Sequence, residues 1–270
     1  MPRKPRTMPP PPGSGGTHPA VQELRKIEGR FFRKFDDWLD LMLSAFGRDE
    51  DRYMATIGRY GPREPGKPHP ADHFAHALGA IHLAMHQDNA DGVIRDHLGE
   101  IYEAEGAAER EMAQFFTPLP LCELMARMTI DENAPEDAHI ADPACGSGRL
   151  LVACIKLRPR GRYFGVDKDQ TCAKMAALNM LWRNVDSRIV WGNTLTLQGH
   201  SGWMTTSTAL GGHIQAFGPE VAQSLLEGAL KAMQAPAPSV ETSLAEDGNA
   251  PAAEEAPKMV NVRGQFALDL

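Results

Sequence analysis

The sequence predicts an α/β fold: a mostly parallel sheet, preceded by a helical N-terminal domain and flanked by disordered tails. Three observations predict it. From residue 137 short apolar segments alternate with helical patterns. Upstream, apolar residues recur at helical spacing. Both ends are rich in Pro, Ala or Gly and poor in bulky apolar side chains. Strands alternating with helices imply right-handed crossovers and parallel pairing.

Residues 1–19 (MPRKPRTMPPPPGSGGTHP) read as a disordered basic arm. The helical domain is expected over 20–110. Val21, Leu24, Ile27, Phe31, Phe35, Trp38 and Met42 recur at spacings of three and four, which predicts one amphipathic helix ending near Gly47. The stretch GPREPGKPHPAD (61–72) is a loop, and helical patterns follow around 72–87 and 91–105. A second domain is expected over 111–234. Thr117-Pro118 opens a helix with Leu121, Leu124, Met125 and Met128 as its buried stripe.

Ala138 to Ala141 is the first strand, followed by a Gly-rich turn and a helix at 148–157. Arg162 to Val166 is the second strand, and the next helix carries Cys172, Met175, Leu178 and Trp182 on one face. Arg188 to Trp191 is the third strand, whereas 198–217 fits no clear strand. Residues 218–234 form a last helix, opened by Pro219. Residues 235–264 are a disordered acidic linker, and 265–270 (QFALDL) turn apolar again.

The net charge of −7 excludes a protein that holds duplex DNA by charge alone. A nucleic-acid substrate would need the arm, with Arg3, Lys4 and Arg6, or a partner subunit to supply the grip. No apolar run approaches a membrane span in length and no signal peptide is evident, so no membrane is expected and the expected location is cytoplasmic. Cys122, Cys145, Cys154 and Cys172 show no metal-ligand spacing and are expected as reduced, buried thiols. His82 and His86 share a helix face, and His69, His73 and His76 lie nearby. No carboxylate or cysteine joins them at ligand spacing, so no metal is expected.

The chemistry concentrates in ADPACGSGRLL (141–151), placed where a strand ends and a helix opens. Gly146 and Gly148 permit positive φ and remove the Cβ atoms that would keep a ligand from the backbone. Free N–H groups at the helix start suit a carboxylate or other polar ligand atoms. Asp167 ends the second strand, where a carboxylate can accept both ribose hydroxyls of a nucleoside cofactor. The plainer readings are a tight βα turn and a solvated strand-end acid. Trp191 and Trp203 suit core packing better than stacking on a base.

Three segments together resemble the N6-adenine DNA methylase family, specifically the modification subunits of type I restriction systems. Phe116-Thr117-Pro118 matches the family's FTP segment, Asp142 to Gly148 matches its DPACGSG loop letter for letter, and Asp167 in GVDKD matches its ribose-binding acid. DHLGEIYE (96–103) resembles the helical lead-in, and the likeness covers roughly residues 90–197.

The resemblance implies a SAM-methyltransferase-like (Rossmann-type) fold and S-adenosyl-L-methionine (SAM) as cofactor. By that resemblance, Phe116, Thr117, Pro118, Asp142, Ala144, Cys145, Gly146, Ser147 and Gly148 contribute to cofactor binding, and Asp167 holds the ribose. Asn193 in GNTL falls where the family has an aspartate near the adenine amino group, or else is a turn-forming Asn. The implied reaction is methylation of adenine N6 in DNA, in a restriction-modification setting with a specificity or catalytic partner subunit. The chain departs from the family at its catalytic element, Asn/Asp-Pro-Pro-Tyr/Phe: it has no Asn-Pro, and its one Asp-Pro lies in the Gly loop. Catalytic residues are therefore unassigned. The alternative is a catalytically silent SAM-binding module, serving as an interaction or decoy subunit of a mobile-element or restriction-related system. QFALDL resembles the hexapeptide that docks bacterial proteins on the DNA polymerase sliding clamp, through Gln265, Leu268 and Leu270.

Overall fold

The computed structural model describes residues 17–109 and 115–234. The acidic linker, the peptide with Gln265, Leu268 and Leu270, and the basic arm up to residue 16 lie outside the described residues. The chain divides into two compact units, Met1–Met42 with Glu50–Phe116, and Leu43–Asp49 with Thr117–Leu270. Among the described residues no helix is long and apolar enough to cross a membrane.

The first unit is helical. The stripe from Val21 to Met42 is buried throughout, yet it is split over two helices, α1 (Pro19–Arg25) and α2 (Phe31–Gly47), with Ile27 between them, where the periodicity predicts one. Gly29, at φ 101°, lies in the break, in a backbone conformation that only glycine enters without strain. Helix α3 (Glu50–Ile57) follows, then a short 3-10 turn at Gly58–Tyr60.

Helix α4 (Pro70–Ala90) opens with a reciprocal cap. His69 Nδ1 accepts from the Ala71 N–H at 3.1 Å, and the Asp72 carboxylate accepts from the His69 N–H at 3.0 Å. Helix α4 packs on α1, and α5 spans His97–Glu109. The core of this unit is aromatic: Phe35 lies 5.9 Å from both Trp38 and Tyr102, ring centre to ring centre. The Trp38 indole N–H, which burial would otherwise orphan, donates to the Phe74 carbonyl at 3.0 Å.

The second unit is built on a five-stranded sheet in the order β1 (His139–Asp142), β2 (Arg162–Asp167), β3 (Asp186–Asn193), β4 (Gln198–Thr206), β5 (His213–Phe217). Strands β1 to β3 are parallel, joined through α7 (Arg149–Ile155) and α8 (Gln170–Trp182). Strands β4 and β5 run antiparallel, so the sheet is mixed rather than mostly parallel, and 198–217 is a strand pair where the sequence suggests none. Chain length decides the direction. Only four residues separate Asn193 from Gln198, enough for a hairpin but far short of a crossover.

One sheet face buries Ala141, Phe164, Val166 and Val190 under Ala222, Leu225, Leu226 and Ala229 of α9 (Pro219–Gln234). On the other face the Ser187 and Thr205 hydroxyls, buried side by side, bond at 2.7 Å, and Thr205 Oγ1 also donates to the Val185 carbonyl at 2.7 Å. Helix α6 (Leu119–Thr129) packs on α7. Its inward face is Cys122 and Ala126; Leu121, Leu124 and Met128 are 46, 52 and 72% exposed, the reverse of the expected stripe. Small residues four apart let the two helices approach closely, and the long side chains then point away. All four cysteines are free and buried.

Candidate cofactor site

The parallel strands end at one edge of the sheet, where ligands of α/β proteins characteristically bind. Three connections leave that edge: the turn after β1, the turn after β2 and the hairpin after β3. They are tied to one another by hydrogen bonds.

The turn after β1 is the Gly loop. Asp142 Oδ1 accepts from the Ala144 N–H at 3.1 Å, closing a tight turn around Pro143. The Cys145 N–H donates to the Val166 carbonyl at 2.9 Å, and the Gly148 N–H returns to the Cys145 carbonyl at 2.8 Å. Gly146 and Gly148 take φ of 56° and 82°, the region that favours glycine. At Gly148 a Cβ would also come within 3.2 Å of Ala176 on α8, so this glycine admits close helix packing as well as the turn.

Asp167, at the end of β2, belongs to the same assembly. Its Oδ2 accepts from the Gly146 N–H and its Oδ1 from the Asp169 N–H, each at 2.8 Å. Burial pushes the carboxyl above the ordinary carboxylate range, while the two N–H bonds pull the other way. Asp169 in turn caps α8, its Oδ1 accepting from the N–H groups of Thr171 and Cys172 at 2.8 and 3.2 Å. Cys145 is fully buried; desolvation, then Asp142, Asp167 and Cys172, push its thiol well up, so it is no thiolate nucleophile.

Asn193 is engaged as a turn former. Its Oδ1 accepts from the N–H groups of Leu195 and Thr196 at 2.9 and 3.3 Å. The neighbouring Thr194 hydroxyl donates to the Pro143 carbonyl at 3.1 Å, bringing this turn onto the Gly loop. Thr117 is linked to the loop's far side: its carbonyl accepts from Arg149 Nη1 at 3.3 Å, one residue beyond Gly148. Pro118 is the cap residue of α6. Phe116 closes the first unit, where its N–H donates to Glu103 Oε1 at 2.6 Å and its ring lies 6.0 Å from Tyr102.

One position stands out that sequence reasoning did not assign. Asn179 is buried on α8, and its Nδ2 donates to the Ser147 carbonyl at 2.9 Å, fixing the Gly loop from below. A polar residue inside the run AALNMLW is the trace it leaves in the sequence. Trp191, expected in the core, is instead half-buried at the sheet's end, opposite Asp167 in the β2–β3 register, with its indole N–H on the Lys168 carbonyl at 3.2 Å. Its ring lies 4.7 Å from that of His200, where the β3–β4 register slips. Trp203 is a core residue, 3% exposed.

No curated protein and no solved structure matches the chain. Residues 93–210, a little under half of the chain and running from just before α5 to beyond β4, match the model of the N-6 DNA Methylase family.

Proposed function

We propose that the chain binds SAM at the turns after β1, β2 and β3 and acts in methylation of adenine N6 in DNA. The observation that carries this is the joining of the Gly loop to Asp167, with two glycines at positive φ and a half-buried carboxylate beside them. Asp167 spends one lone pair of each oxygen on a backbone N–H, and each oxygen keeps another for a ribose hydroxyl. Trp191, its register neighbour, offers an aromatic surface next to that position. SAM supplies an electrophilic methyl group; the chain's part is to hold and orient it, which is how such transfers are accelerated.

A second reading, the silent SAM-binding module, draws on a specific observation. Residues 198–217 form an antiparallel hairpin, and the chain has no Asn-Pro to supply the family's catalytic tetrapeptide. Radiolabelled methyl transfer to unmethylated DNA separates the two. Incorporation that is lost in Asp167→Ala supports the enzyme. SAM binding without incorporation, alone or with DNA in excess, supports the silent module. Absence of SAM binding overturns both.

A further inference from the structure

Helices α1 and α4 of the first unit pack against each other and bring Glu23 beside His73 and His76. One ligand atom from each lies within 4.8 Å of the others. Glu23 Oε2 is 3.0 Å from His73 Nδ1 and 3.8 Å from His76 Nδ1. Donors around a tetrahedral zinc ion at about 2.0–2.1 Å are roughly 3.3–3.5 Å apart, so these separations bracket what an ion needs. The i, i+3 spacing puts both imidazoles on one face of α4. His73 and Glu23 are half-buried and His76 is exposed, which gives the cluster rigidity on one side and access on the other.

We propose that Glu23, His73 and His76 form a binding site for a divalent transition-metal ion of the zinc class, with water completing its coordination. Two imidazoles and one carboxylate suit that class; magnesium and calcium prefer oxygen throughout. Lys26 occupies Glu23 Oε1 at 2.6 Å and leaves Oε2 to the histidines. The ion would cross-link α1 to α4 in place of the hydrogen bond between His73 and Glu23.

The test uses the untagged full-length protein, stripped with a chelator and titrated with Zn(II) against a chromophoric competitor. The expected result is one equivalent bound, with affinity lowered by at least about tenfold in Glu23→Gln and in His76→Ala. His82→Ala and His86→Ala on the same helix should leave it unchanged. The melting temperature should rise with Zn(II) in the wild type and not in Glu23→Gln, since an ion bound only by the folded state stabilises it. Glu23→Gln keeps an oxygen to accept from His73, and His76 is exposed, so both variants should fold. Failure of the wild type to bind overturns the proposal. So does affinity unaffected by Glu23→Gln and His76→Ala, or lost instead in His82→Ala or His86→Ala.

Discussion

The Gly146 N–H donates to Asp167 Oδ2 at 2.8 Å, joining the turn after β1 to the carboxylate that ends β2. Asp169 fills the other oxygen in the same way. Asp167 therefore shapes the loop, and its substitutions should separate that role from the proposed one of accepting from a ligand. Asp167→Asn keeps one oxygen for a backbone N–H but loses the charge; Asp167→Ala loses both. Hydrogen bonds to charged groups are worth about 1.5–3 kcal/mol, so SAM affinity should fall by about tenfold or more in either variant. Urea denaturation should show a larger stability loss for Ala than for Asn. Equal SAM affinity in wild type and Asp167→Asn would remove the carboxylate from the site.

Asn179 holds the loop from the opposite side, through its bond to the Ser147 carbonyl. Removing the amide leaves a buried carbonyl without that donor, at a cost of about 1–3 kcal/mol. Asn179→Ala should lower the urea midpoint and weaken SAM binding, although the side chain lies beneath the loop. Asn179→Gln, one methylene longer in a fully packed helix, should not restore either. A variant that loses stability but binds SAM as tightly as the wild type would show that the loop keeps its shape without this anchor.

In the first unit, His18 provides a pH handle. Its Nδ1 caps α1 by accepting from the Ala20 N–H at 3.1 Å, which requires a neutral ring. Burial, and then the neighbouring His97, lower its pKa from 6.5 to about 4, with Asp88 opposing. The unfolded chain therefore binds more protons than the folded one between those values. Stability should be full above 6.5 and should decline as the pH falls toward 4. His18→Asn, which retains a capping oxygen but does not titrate, should flatten that part of the profile in urea melts followed by circular dichroism. An unchanged slope would assign the acid sensitivity to other groups.

Much of the sheet was legible in the sequence, for physical reasons. Strands β1 to β3 are covered on both faces and so read as apolar runs, and glycines mark the turn after β1. The hairpin was not legible, because β4 reads QGHSGWMTT, with two glycines and several polar residues. Those glycines are demanded by packing. A Cβ at Gly202 would come within 2.2 Å of the Ile189 carbonyl and 2.5 Å of the Phe217 ring. Helix α6 packs through the face opposite to the expected one because periodicity locates a stripe but does not say which stripe packs; small residues win over large ones. Within the candidate site, the Gly loop and Asp167 are visible in the sequence as a spaced motif. The Thr194 and Asn179 anchors depend on contacts between elements far apart in the chain. Glu23 lies 50 residues from His73, which is why spacing along α4 alone gave no reason to expect a metal ligand there.

Calorimetric titration of the full-length protein with SAM tests the central claim most directly. One site is expected, weakened in Asp167→Ala and preserved in Glu23→Gln, which alters only the first unit. A wild-type protein that is folded by circular dichroism yet gives no SAM binding would contradict it.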